Sequence, residues 1–476
     1  MLTAAILGSG IVFLDGTVVN VALPRIGHDL RSSVLGVLEG QTYVFNGYLL
    51  TLATLLILAG AVNDRYGRRR TFLIGLAGFG AASLLCGLAP NIEALVAFRI
   101  IQGAAGALLV PGSLALIRTA FEGEEQARAY GTWAGATTLL TLAGPLVGGL
   151  LVDTVSWRAV FLINVPLVVA ALWMTAVHVP ESRAEAAPAG FDWLGALLAA
   201  VAVGGLSFGV VFGQEHGWGI GAILLLAAGV AAAIGLPLWL RRSPNPLVPL
   251  SLFRRREFNI VNLSTLLIYG ALYVQSYYLP LYIQGVLGYT AAAAGLVFLP
   301  GGLLLGFGSR PIGRLSGRFG VRPFLVAGPV LMAAGILWLA RVSQASGRWA
   351  FTPGDPHTYL PPVGYLVDFL PGIVVYGTGI ALVVAPLTTA LMSSVPAQNA
   401  GVASALNNAL SRVGPQLAGA GIFLGVAAVF GGRRPDFTAS AGATATAAFH
   451  LAMVCCAALM LAGAAVNGLG LRAADR

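Results

Sequence analysis

The stretch Gly60-Ala-Val-Asn-Asp-Arg-Tyr-Gly-Arg-Arg69 returns 253 residues later as Gly313-Arg-Leu-Ser-Gly-Arg-Phe-Gly-Val-Arg322, with Arg65, Gly67 and Arg69 repeated as Arg318, Gly320 and Arg322. Each copy is a short polar break between two long apolar runs. Self-similarity of this kind marks an internal duplication. A second echo sets Gly144-Pro145 against Gly414-Pro415, 270 residues apart, and the polar insertion Ser343 to Pro362 accounts for the extra length. The two echoes divide the chain into related halves, residues 1–180 and 255–476, with 181–254 as an insertion between them.

Fourteen apolar runs surround these breaks, near residues 3–24, 40–61, 72–90, 92–118, 128–151, 158–178, 192–213, 218–240, 258–284, 291–312, 322–342, 363–391, 402–430 and 445–470. About 20 apolar residues of helix cross roughly 30 Å of hydrocarbon, so each run is long enough to span a bilayer. Six fall in each half and two in the insertion. With 57% hydrophobic and 9% charged residues, the chain lacks the polar surface to cover a soluble globule of its size. Its 63 glycines suit close helix approach in lipid. The expected fold is an all-α membrane protein of two six-helix bundles joined by two linker helices.

All 27 basic residues are arginine, which excludes a Gly-x-x-x-x-Gly-Lys phosphate loop and a lysine Schiff base. The net charge of +9 is no sign of nucleic-acid binding, because the arginines lie in short loops between apolar runs. Placing both termini inside puts eighteen arginines on the cytoplasmic side and seven outside, which sets that orientation. Cys86, Cys455 and Cys456 sit within apolar runs at no metal or disulfide spacing, so no metal or cofactor is expected. The segment Met1 to Pro24 lacks a basic leader and carries Asp15, so the first helix is expected to be retained rather than cleaved.

Within Leu14-Asp-Gly-Thr-Val-Val-Asn-Val-Ala-Leu-Pro24, Asp15 is a carboxylate deep in an apolar span. An ion there costs roughly 2.5–3.5 kcal/mol, so it should face a cavity or a partner, and a group that titrates inside a water-accessible chamber could exchange protons for substrate. Arg99, Gln102, Gly103 and Gly106 share one face of the fourth span, placing a cation that needs an anionic or carbonyl partner. A structural hydrogen bond for Asp15, and a static pair or snorkelling for Arg99, are the plainer alternatives. Gly144-Pro-Leu-Val-Gly-Gly149 removes a backbone donor and adds small residues, which fits either a hinge or ordinary helix packing. Asn20, Tyr43, Asn46, Gln102, Trp133, Tyr269, Tyr273, Gln275, Asn407 and Asn408 are candidates to line a substrate cavity, or else to bond neighbouring helices.

Together these segments resemble the major facilitator superfamily, in its fourteen-helix drug:proton antiporter branch. Leu14 to Pro24 is similar to that branch's first-helix motif. Gly60, Asp64, Arg65, Gly67, Arg68 and Arg69, echoed by Arg318 and Arg322, resemble the superfamily's cytoplasmic gate. Arg99, Gln102 and Gly103 match the helix 4 motif, Gly144, Pro145, Gly148 and Gly149 the antiporter motif, and Phe191-Asp-Trp-Leu-Gly195 the start of helix 7. The resemblance implies proton-coupled export of hydrophobic or amphipathic compounds by alternating access, with Asp15 and Arg99 coupling the proton, in a bacterial inner membrane and as a monomer. Its partners would be a small molecule, protons and lipid, with no nucleic acid. Export of one dedicated metabolite, antibiotic or lipid is the alternative. Leu140 stands where the antiporter motif often has glycine, Gly317 replaces the acid of the second gate, and residues 291–312 hold no acid, which argues against dicationic substrates. An intramembrane enzyme is disfavoured by the absence of His-Glu-x-x-His and Gly-x-Ser-x-Gly.

Overall fold

The computed structural model describes residues 1–30, 37–121, 123–181, 192–216, 218–244, 246, 248–352, 354–396, 400–429, 437 and 442–471. The backbone of an apolar segment in lipid can satisfy its N–H and C=O groups only within itself or in a closed barrel, and here every long element is a helix. No strand occurs among the described residues. The helices are α1 (Leu2–Asp29), α2 (Val37–Tyr66), α3 (Arg68–Gly87), α4 (Ile92–Ala120), α5 (Gly123–Thr154), α6 (Ala159–Leu162), α7 (Asn164–His178), α8 (Trp193–His216), α9 (Ile220–Leu240), α10 (Arg256–Gly285), α11 (Ala291–Phe319), α12 (Arg322–Leu339), α13 (Leu370–Ser393), α14 (Ala400–Val429) and α15 (Gly442–Gly470).

Helix is present at each of the fourteen expected spans, α6 and α7 together filling the sixth. Among the described residues, twelve segments are long and apolar enough to cross a membrane; α2 and α14 are not among those twelve. The protein is a multi-pass membrane protein.

Two compact units emerge, one comprising Met1–Gly209 and Trp218–Pro249, the other Val210–Gly217 and Leu250–Arg476. In the first, α4 packs between α2 and α3, α1 lies on α5, and α3 on α7. In the second, α13 packs between α11 and α12, α10 lies on α14, and α12 on α15. The pairings correspond helix for helix, so the duplication read from two loops extends to the packing of both bundles. Most of the α8–α9 pair groups with the first unit, where Gly205 and Gly229 let the two backbones meet.

Asp192 shows how a polar residue ties this pair down. Its Oδ1 accepts the Gly195 backbone N–H at 2.8 Å, capping α8, and the Trp239 indole N–H of α9 at 2.6 Å. Phe191 of the same motif lies outside the described residues.

Candidate functional site

Five helices of the first unit converge on one carboxylate. Asp15 lies midway along α1 and is 0% exposed, as is Arg99 on α4. Asp15 Oδ2 is ion-paired with Arg99 Nη1, while Oδ1 accepts from Gln102 Nε2 at 3.0 Å and from Asn164 Nδ2 at 2.9 Å. Arg99 also donates from Nε to the Val44 carbonyl of α2 at 3.1 Å and from Nη1 to Gln102 Oε1 at 2.7 Å. Ser83 Oγ of α3 accepts from Gln102 and Asn164, at 3.1 and 3.0 Å, and closes the network.

Aromatic faces wall off the pair. The Arg99 guanidinium carbon stands 4.1 Å from the Tyr48 ring centroid and 5.7 Å from that of Phe161. Cation–π contact of this kind strengthens as water is excluded. The Tyr48 hydroxyl is anchored in turn, donating to the Val12 carbonyl at 2.8 Å. Arg99 Nη2 and Asn164 Oδ1 are left with no hydrogen-bond partner among the described residues.

Of the two outcomes open to Asp15, the structure presents the partner: Arg99 turns inward rather than snorkelling, and both side chains of the pair are fully buried. The physical reason is saturation. A charge buried in an apolar medium persists only when paired and hydrogen-bonded, and three donors meet this one. Sequence reasoning missed Asn164 and Ser83. Asn164 left a signal, as an amide within the otherwise apolar run 160–173. Its side chain is aimed at Asp15 from the first residue of α7, just past the break after α6.

The repeated arginine-rich stretch turns on a joint of one residue. Helix α2 ends at Tyr66, α3 begins at Arg68, and Gly67 between them has φ +103°, a conformation that costs a residue with a Cβ. Gly320, its repeat partner, follows the end of α11 with φ +79°. Arg69 Nη2 donates to the Ala176 carbonyl near the end of α7 at 2.6 Å, and Arg322 Nη2 to the Gly468 carbonyl near the end of α15 at 2.5 Å. In each half, then, the repeated arginine satisfies the C-terminal end of that bundle's last helix, where carbonyls lack partners and the dipole favours a cation. Glu181, unmarked in the sequence reading, accepts the backbone N–H groups of Arg69 and Arg70 at 3.2 and 3.1 Å, a carboxylate on the N-terminus of α3. The side chains of Asp64 and Arg65 lie outside the described residues. A Cβ added at Gly60 would stand 3.8 Å from Pro111, Arg68 is half-buried, and Arg318 is exposed in the last turn of α11.

Gly67→Ala should therefore do twofold damage, since an added Cβ meets the Glu181 carboxyl carbon at 2.9 Å as well as the strained φ. A loss of about 1–3 kcal/mol is expected. Glu181→Ala alone should cost about 1 kcal/mol, the value of a helix cap. Thermal unfolding in detergent checks both, and a Gly67→Ala midpoint equal to wild type would contradict this geometry.

The Gly144–Gly149 segment is uninterrupted helix within α5. An added Cβ at Gly148 would lie 2.6 Å from the Val18 carbonyl oxygen, so this glycine is where α5 touches the α1 backbone. Pro145 deprives the Thr141 carbonyl of its helical donor, and the Thr17 hydroxyl stands 3.0 Å from that oxygen. In the second half a Cβ at Gly414, before Pro415, would likewise meet the Leu266 carbonyl of α10.

The remaining candidates scatter. Gln275 is 1% exposed with neither amide atom hydrogen-bonded among the described residues. Asn20 is buried on α1, and Tyr43 and Asn46 are half-buried on α2. Trp133 packs edge-on to Phe13 and against a cluster of Ala5, Ile117 and Ala129. Asn407 donates to Asn262 Oδ1 at 3.1 Å and Thr265 Oγ1 at 2.8 Å, bonding α14 to α10, and Asn408 is half-buried beside it. Tyr273 accepts from Arg412 Nη1 at 2.9 Å, and Tyr269 lies one turn before it on α10.

Two helical bundles with matching helix pairings, long apolar helices and a buried charge pair in one of them define a polytopic membrane protein. The sequence profile of the Major Facilitator Superfamily matches residues 5–419, and the chain belongs to that superfamily. It is a transporter rather than an enzyme, and members of the superfamily carry small molecules. The chain is 36% identical over 415 residues to "Multidrug resistance protein Stp" of Mycobacterium tuberculosis (strain CDC 1551 / Oshkosh), covering 87% of this chain and 73% of that protein. It is 35% identical over 441 residues to "Tetracenomycin C resistance and export protein" of Streptomyces glaucescens, covering 92% and 78%. A crystal structure of a bacterial homolog of the human lysosomal transporter Spinster, inward-facing and unoccupied, matches with a TM-score of 0.63 at 17% identity, covering 98% of this chain and 96% of that one.

Proposed function

We propose that this chain exports small hydrophobic or amphipathic compounds in exchange for protons, by alternating access of two six-helix bundles with α8 and α9 as the linker pair. The functions named for its relatives, multidrug resistance and antibiotic export, support the direction and substrate class. One observation carries the coupling: Asp15 is the only carboxylate buried in mid-helix among the described residues, and it is held by Arg99. In the conformation described the pair is closed, so proton uptake requires α1 and α4 to part. When they do, the carboxylate is freed from its cation and open to a proton, and re-forming the ion pair displaces that proton. The arginine distribution favours cytoplasmic termini, and the reading extends to fourteen spans, a bacterial inner membrane and a monomer.

The purified chain in proteoliposomes, with a pH-sensitive dye in the lumen, tests this. Adding ethidium or another lipophilic compound on one side should move protons in the opposite direction. No proton movement across a broad panel of compounds would overturn the exchange. Complete burial and threefold hydrogen bonding also favour a second reading, in which the cluster is a fixed tie between helices. The variants described in the Discussion separate the two.

A further inference from the structure

The second unit carries a mid-span cation of its own. Arg412 lies twelve residues into α14, about 18 Å along it at 1.5 Å per residue. Its Nη1 donates to the Tyr273 hydroxyl of α10 at 2.9 Å, and its guanidinium carbon is 5.5 Å from the centroid of that ring. Tyr269 lies four residues, about one helical turn, before Tyr273 on α10, so the two residues share a face of that helix. Two helices thus contribute one cation and two phenols.

Among the described residues no carboxylate answers this cation. Arg99 has Asp15, but between Phe258 and Val429 the only acids are Asp355 and Asp368. Asp355 is exposed and caps a short turn in the connection before α13, and Asp368 lies in the turn leading into α13. Neither is ion-paired with Arg412, and Glu257 sits in the first turn of α10. A guanidinium stays charged at any physiological pH and offers five N–H donors, of which the Tyr273 oxygen takes one. Retaining such a charge within an apolar span without a protein anion is costly, and intramembrane ions of this kind mark ligand paths. The Tyr273 hydroxyl, having accepted from Arg412, keeps its own hydrogen to donate. Guanidinium and phenol then form a fork of donors suited to an oxyanion, beside aromatic faces suited to an apolar ring.

We propose that Arg412, Tyr273 and Tyr269 form a subsite for the acidic group, a carboxylate or similar oxyanion on an aromatic body, of compounds this chain exports. The inference rests on the exporter reading, and its test is chosen to be independent of coupling. Full-length protein in detergent, with no proton gradient, is titrated with anthracene-2-carboxylate and with its neutral isostere anthracene-2-carboxamide. Binding is read as probe fluorescence anisotropy. Wild type should bind the acid at least tenfold more tightly than the amide. Arg412→Gln should weaken acid binding tenfold or more and leave the amide unchanged, while Arg412→Lys, which keeps the charge, retains part of the preference. Equal affinity for the two probes, no binding of the acid, or an acid preference that survives in Arg412→Gln protein of wild-type thermal stability overturns the subsite. A failed proton-flux assay would leave this result standing, and failure here would leave proton exchange standing.

Discussion

Asp15→Asn and Arg99→Gln are each expected to destabilise the first bundle by about 3–5 kcal/mol, and combining them should restore most of the loss. The reason is asymmetry in buried charge. Removing one partner leaves the other ion stranded without solvent, whereas removing both leaves two amides that can bond each other. The amide that Asp15→Asn introduces can still accept from Gln102 and Asn164, which reach Asp15 Oδ1 at 3.0 and 2.9 Å. Thermal unfolding of the four proteins in detergent gives the coupling energy directly, and simple additivity of the single losses would mean the pair does not interact as described.

The double variant also decides what the pair is for. It should fold, lack a titratable carboxylate at this point, and still let substrate run downhill across a vesicle membrane. Uphill efflux driven by an imposed proton gradient should fall at least a hundredfold. If uphill efflux instead returns along with stability, the cluster is a structural tie and the proton binds elsewhere.

Gly103→Ala should be the most damaging single methyl in the first bundle. A Cβ there would fall on the Tyr48 carbonyl oxygen, with Leu52 N at 3.2 Å and Thr51 Cβ at 3.2 Å. Two of those three atoms are backbone, so no side chain can rotate aside and α2 must move off α4. Overpacking of this kind costs about 1–3 kcal/mol. The shift also carries away Val44 and Tyr48, which hold the Arg99 guanidinium through a carbonyl and a ring face. Transport should fall at least tenfold, beyond what the stability loss predicts. Gly106→Ala is the internal comparison, because its Cβ meets only side-chain atoms of Leu52 and Phe79, at 3.3 and 3.5 Å. Comparable damage from both variants would mean the α2–α4 approach is not what the glycine protects.

Much of the architecture was legible because lipid imposes it. Every span had to be a helix with internally satisfied backbone, so long apolar runs located the helices, and the two arginine-rich breaks located the repeat. Arg69 and Arg322 were visible as partners in that repeat, and the structure adds that each bonds the end of its bundle's last helix. Glu181 was invisible by the same reasoning, since a lone acid 114 residues past Gly67 has no pattern to betray it.

The sequence by itself determined a helical membrane protein of two related halves, and it singled out Asp15, Arg99 and Gln102, because an ion or amide in an apolar run stands out from its surroundings. Only the tertiary structure decided that these three share one network with Ser83 and Asn164, that the charges within it are fully buried, and that Arg412 has Tyr273 but no acid among the described residues. Polar contacts between helices are set by the rotation and depth of each helix against its neighbours. Those depend on glycines meeting backbone at a few crossings, as Gly103 meets Tyr48 and Gly414 meets Leu266, and no periodicity along a single helix encodes which backbone will be there.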